Sequence, residues 1–109
     1  MDLGSFSISL TVADLTRSLS FYEALGFTKL DGDADQGWLV LTNGAAKIGL
    51  FQGMFEHNLI TFNPPDARAV ESALNEAGHA PDKAIEGDEG PCHFVVKDPD
   101  GNVLLIDQH

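Results

Sequence analysis

A 52-residue internal repeat constrains this chain more than any other feature. Asp14 and Asp66 each precede an amphipathic stretch, Gly26 and Gly78 each end one, and Ile8 and Leu10 correspond to Ile60 and Phe62. A constant offset over strand, helix cap, helix and stop marks a duplicated supersecondary unit, neither copy of which buries its apolar face alone. With 109 residues, one domain spanning 1–109 is expected, with one module over about 5–52 and the other over about 57–109.

Within each copy the local pattern sets the element type. Residues 5–12 alternate, with Phe6, Ile8, Leu10 and Val12 on one face and Ser5, Ser7, Ser9 and Thr11 on the other, which is the period of a strand. Asp14 suits an N-cap, and Leu15, Leu19, Tyr22 and Leu25 then fall on one helical stripe ending at Gly26, a residue that accepts the left-handed C-cap. A short strand is expected over 27–30, a polar loop over 31–37, and a hairpin over 38–51 turning at Asn43-Gly44, the dipeptide of a type I′ turn. The second copy runs strand 58–63, Asp66-capped helix, strand 91–97, the turn Asp98-Pro99-Asp100-Gly101, and strand 102–107. The expected fold class is α+β, two βαβββ modules pairing around a concave mixed sheet.

Strand parity separates a helix side from an open side. Ile8, Leu10, Ile48, Leu50, Ile60, Phe62, Leu104 and Ile106 are expected under the helices. The opposite face carries Ser5, Ser7, Ser9, Thr11, Lys47, Gly49, Phe51, Leu59, Thr61, Asn63, Val103, Leu105, Asp107 and His109. A hollow with a few polar groups on an apolar wall is the usual form of a small-ligand pocket.

Charge narrows the partners. Seventeen acidic residues against six basic ones give −11, so phosphate backbones and anionic lipid surfaces are repelled. No partner of either kind is expected. Cys92 is the only cysteine, so no intrachain disulfide is required, and it reads as a small buried hydrophobe. No basic, apolar leader and no bilayer-length run are present, and a cytoplasmic location is the expectation.

The opening ISLTVADLTRSLSFYEALGF and the closing DPDGNVLLID, together with the repeat, resemble the vicinal oxygen chelate superfamily, which includes glyoxalases, bleomycin-resistance proteins and extradiol dioxygenases. The resemblance implies this fold, a homodimer, and no single chemistry. In metal-dependent members the ligands stand on the first and last strands of each module. The matching positions here are Ser7, Gly49, Leu59 and Leu105. None is the His, Gln or Glu that offers a divalent cation a lone pair at fixed geometry. No metal and no cofactor are therefore expected.

The remaining candidates come from hairpin register. A three-residue loop with a left-handed Gly101 pairs Lys97 with Val103, Val95 with Leu105 and His93 with Asp107. A carboxylate opposite an imidazole is a candidate acid–base pair, so His93 and Asp107 are the catalytic candidates; the plainer alternative is a rim pair of little energetic weight. His57 reads as an exposed residue of the connector between the halves and His79 as a solvated turn residue. A turn centred on Asn43-Gly44 sets Trp38 against Gly49 and Lys47 beside Val40. Trp38 then fills the room where a metal ligand would stand, forms a stacking wall for a planar ligand, or packs as core. Met54 and Phe55 in the connector form a pocket lid or a subunit contact.

The expected function is binding of a small, partly hydrophobic molecule by Ser7, Ser9, Trp38, Lys47, Phe51, Asn63 and His109. The alternative is a glyoxalase-like lyase, isomerase or dioxygenase with a metal-free or unconventional site using His93 and Asp107.

Overall fold

The computed structural model describes all 109 residues. The elements run β1 (Ser5–Val12), α1 (Leu15–Ala24), β2 (Thr28–Asp33), a short 3-10 turn (Ala34–Gln36), β3 (Trp38–Asn43), β4 (Ala46–Gln52), β5 (Leu59–Asn63), α2 (Ala67–Glu76), β6 (Cys92–Lys97) and β7 (Val103–Gln108). They form two compact units, residues 7–58 and residues 1–6 with 59–109. The α+β class expected from the repeat is present, with parallel and antiparallel pairing in each unit.

In the 7–58 unit the strand order is β2-β3-β4-β1. β1 lies parallel to β4 with Leu10 beside Leu50, and β3 lies antiparallel to β4 with Leu39 beside Leu50 and Leu41 beside Ile48. α1 covers the face carrying these leucines. Leu15 joins Leu39, Leu41 and Leu50 in the core, flanked by Leu10, Val12, Leu19, Tyr22, Phe27 and Ile48. Burying one such side chain contributes about 1.5–3 kcal/mol, which is why the apolar stripe of α1 selects this face. Ile8, expected under the helix, is exposed instead.

The other unit places β7 between β5 and β6, with β5 parallel and β6 antiparallel to it. Ala67 and Val70 of α2 pack on Phe94 and Ile106, with Phe62, Leu74, Ile85, Cys92 and Val96 around them. Cys92 is partly buried there, its thiol 3.7 Å from Gln108 Oε1. This unit has three strands where the first has four. The repeat maps β2 onto residues 80–85, and these form no strand. Pro81 lacks an N–H, and the stretch is drawn toward α2 instead. The Arg68 guanidinium donates to the carbonyls of Gly87, Glu89 and Gly90, and Glu71 accepts from Ile85 N at 2.7 Å.

Both helices start the same way. The Asp14 carboxylate accepts from Arg17 N and Asp66 from Ala69 N. A second acceptor arrives from the last strand of each unit: Gln52 Oε1 takes Leu15 N and Gln108 Oε1 takes Ala67 N, each at 2.8 Å. Two of the four N–H groups that every helix start leaves unpaired are thus satisfied.

The two hairpins differ in how far local sequence decided them. At the β6–β7 turn Gly101 has φ +87°, and Asp98 N donates to Asn102 O at 2.9 Å. The register is Lys97–Val103, Val95–Leu105 and His93–Asp107, as expected. The Asp98 carboxylate accepts from Asn102 side-chain and backbone nitrogens and from Asp100 N, and these bonds, led by the Asn102 side chain, hold its pKa below the ordinary value.

The β3–β4 turn departs from expectation. Its two loop residues are Gly44 and Ala45, so Trp38 pairs with Phe51, Val40 with Gly49 and Thr42 with Lys47. Gly44 alone has positive φ (+56°), which fits a Gly-first type II′ turn, not type I′. Asn43 stays in the strand, where its side-chain amide donates to Leu25 O at the end of α1. The expected pairings of Trp38 with Gly49 and Lys47 with Val40 are therefore corrected by two residues. β2 is also longer than expected, taking Asp31, Gly32 and Asp33 from the stretch expected to be loop.

Candidate functional site

The sheet face of the 7–58 unit opposite α1 brings most of the substrate-binding candidates together. β1 contributes Ser7, Ser9 and Thr11, β3 contributes Trp38, Val40 and Thr42, and β4 contributes Lys47, Gly49 and Phe51. Two rows of register partners cross it: Val40–Gly49–Ser9 and Trp38–Phe51–Thr11. Phe51 sits in the second row but leans into the first. A Cβ added to Gly49 would lie 2.5 Å from Phe51 Cε2, so the ring occupies the space above the glycine. Trp38 runs nearly parallel to Phe51 (7°, centroids 6.4 Å apart), and the Phe55 ring lies tilted against Phe51 with centroids 5.0 Å apart. The Thr11 hydroxyl donates to Phe55 O at 3.0 Å, and its backbone N–H donates to Asn58 Oδ1 at 2.9 Å, which fixes the connector bearing Phe55 against β1. Ser7 and Ser9 are buried, and Lys47 is half-buried.

The room expected to be filled by Trp38 is thus filled by Phe51, with Trp38 stacked one step away. Aromatic pairs of this kind contribute about 0.5–1.5 kcal/mol beyond their burial. Phe55, which sequence reasoning assigned only to a lid or a contact, is part of the same wall. The signal that could have found it is its spacing from Phe51 across the Gly53-Met54 bend.

Asn63, His93, Asp107 and His109 lie in the other unit. Asn63 Nδ2 donates to Asp107 O at 2.9 Å and stands 3.2 Å from His109 Nε2. Asp107 is His93's register partner, but its carboxylate lies 3.8 Å from the His109 ring. His93 is exposed on the same side as Val95 and Lys97.

The positions where the resemblance places metal ligands do not fit a divalent cation. Gly49 has no side chain and lies beneath a phenyl ring, Leu59 is a buried leucine, and Leu105 offers no lone pair. Ser7 supplies only a hydroxyl. No three His, Cys, Asp or Glu residues cluster at metal-binding distance. No helix is long and apolar enough to cross a membrane.

No family model matches the chain, and no curated protein matches it. Solved structures do. A glyoxalase/bleomycin resistance protein/dioxygenase superfamily member from Vibrio splendidus 12B01 superposes with TM-score 0.72 at 20% identity, over 95% of this chain and 97% of that one. An NAD-dependent benzaldehyde dehydrogenase from Legionella pneumophila gives 0.76 at 14% identity, over 94% and 97%. Methylmalonyl-CoA epimerase from Mycobacterium tuberculosis gives 0.65 at 19% identity, over 98% and 87%. At these identities the likeness establishes the fold, and the named activities of these neighbours diverge.

Proposed function

We propose that this chain, whose fold is that of the glyoxalase/bleomycin resistance/dioxygenase superfamily, is a metal-independent binder of a small, partly hydrophobic molecule. Trp38, Phe51 and Phe55 supply its apolar wall, with Ser9 and Lys47 as polar contacts on the same face. One observation carries the reading: a phenyl ring stands over Gly49, where the resemblance places a ligand-bearing side chain. An aromatic wall with few polar groups suits recognition by stacking and burial. In the other unit Asn63, Asp107 and His109 form a polar cluster of their own.

The test uses the lone tryptophan as reporter. Protein purified without chelators is expected to carry less than one equivalent of bound transition metal by elemental analysis. A panel of planar apolar compounds is expected to include at least one that quenches Trp38 fluorescence saturably, with affinity lowered on the order of tenfold or more by Phe51→Ala. Stoichiometric Zn, Ni, Mn or Fe held by this face would sink the proposal.

The enzymatic reading rests on the His93–Asp107 register pair. If these groups exchange protons with a substrate, His93→Ala and Asp107→Asn each lower turnover by about 10²–10⁴-fold. Equal turnover in both variants excludes the acid–base role.

A further inference from the structure

We propose that the outer edge of β6 is a self-association surface, on which β6 of a second copy of this chain adds as an antiparallel strand. In the 7–58 unit the corresponding edge, that of β3, is covered by β2. In the other unit no strand covers β6. Residues 79–86 stand off from it, leaving a groove of about 410 Å³ beside Pro91–Val95 that continues as one of about 230 Å³ beside Val95–Lys97. The groove therefore runs the length of the strand, roughly 20 Å for six residues.

The hydrogen-bond phase of β6 is fixed by its turn. Asp98 bonds Asn102 across the hairpin, and bonded pairs alternate from there in an antiparallel ladder. Val96, Phe94 and Cys92 are then satisfied by β7, while His93, Val95 and Lys97 direct their N–H and C=O groups into the groove. No backbone hydrogen bond reaches them from residues 79–91. Such a row is a template for another strand.

A second copy suits this edge for three reasons. Two β6 strands with Val95 opposite Val95 bring His93 opposite Lys97 at both ends, so every outward-facing residue meets an outward-facing partner. The chain carries −11, yet β6 has no carboxylate, so no acidic side chain of one β6 strand faces an acidic side chain of the other. The register also places Lys97 of the second copy beside the groove wall that carries Asp82, where Glu86 is already paired with Lys83 at 3.7 Å. The β2 edge of the 7–58 unit is guarded: β2 has a register break between Lys29 and Asp31, Gly32, and carboxylates at Asp31 and Asp33. Bulges and charges of this kind are how edges resist pairing.

The test follows the intact chain by sedimentation equilibrium and by amide hydrogen exchange. The expected result is a reversible dimer below about 1 mM, with the amides of His93, Val95 and Lys97 becoming protected as concentration rises. Val95→Lys sets two ammonium groups opposite each other and is expected to weaken the dimer by at least about tenfold, while Val95→Thr keeps it. Val95 is 43% exposed, so both variants should fold, which circular dichroism checks. A wild-type monomer throughout overturns the proposal. So does a dimer unaffected by Val95→Lys, or one that protects other amides. Protection of β6 that does not depend on concentration also overturns it, because it would mean that residues 80–85 close on the edge themselves.

Discussion

Leu50→Ala is expected to lower unfolding stability by about 2–5 kcal/mol, the range for emptying a fully buried leucine site. Leu50 has no exposed surface. It sits on β4 between Leu39 of β3 and Leu10 of β1, beneath α1 and Leu15. Strands on both sides and a helix above limit how far the site can collapse, which places the loss toward the upper part of that range. Against a total of about 5–15 kcal/mol for a domain of this kind, the change is large. Urea denaturation measures it, with Val95→Ala as the reference, since Val95 is exposed and lies on an edge strand. A loss for Leu50→Ala no larger than for Val95→Ala would contradict the core as described.

Gly4→Ala is the second large effect, and its origin is steric. Gly4 has φ +69°, where an L-residue costs about 1–2 kcal/mol. A Cβ there would overlap the carbonyl oxygen of Asn63 and stand 2.6 Å from its carbon and 3.0 Å from Pro64 Cα. All three are backbone atoms, so no rotamer change relieves the contact, and overpacking adds about 1–3 kcal/mol. Displacing Asn63 also disturbs its amide bonds to Asp107 and His109. The comparison is Gly44→Ala, where φ is also positive (+56°) but nothing lies within 4 Å. Equal losses in the two variants would mean that the Asn63 contact is relieved at no cost. A larger loss at Gly4, with shifted Asn63 and Asp107 resonances, is the expected outcome.

Legibility in the sequence followed the range of the interaction responsible. The β6–β7 register was readable because the Asp98–Gly101 turn fixes it within a few residues, through a left-handed glycine and the Asp98 carboxylate. The β3–β4 register was not, because Asn43 answers to Leu25 O, 18 residues away in the chain. The same distance effect hid the glutamine caps: nothing local ties Gln52 to Leu15 or Gln108 to Ala67. For the candidate site, parity placed Ser7, Ser9, Trp38, Lys47 and Phe51 on one face. Which ring covers Gly49 depended on side-chain direction, and Phe51 leans along its own strand to do so.

The repeat itself determined the elements, their order and the α+β class. Alternation, helical stripe, Asp cap and glycine stop act over a few residues, and a 52-residue offset duplicates them. Tertiary structure decided where the duplication breaks. Arg68 and Glu71 on α2 bind the backbone of residues 85–90, so the stretch that repeats β2 is held at the helix and β6 keeps a free edge. Those bonds join residues 14–22 positions apart, and only the folded chain brings them within reach.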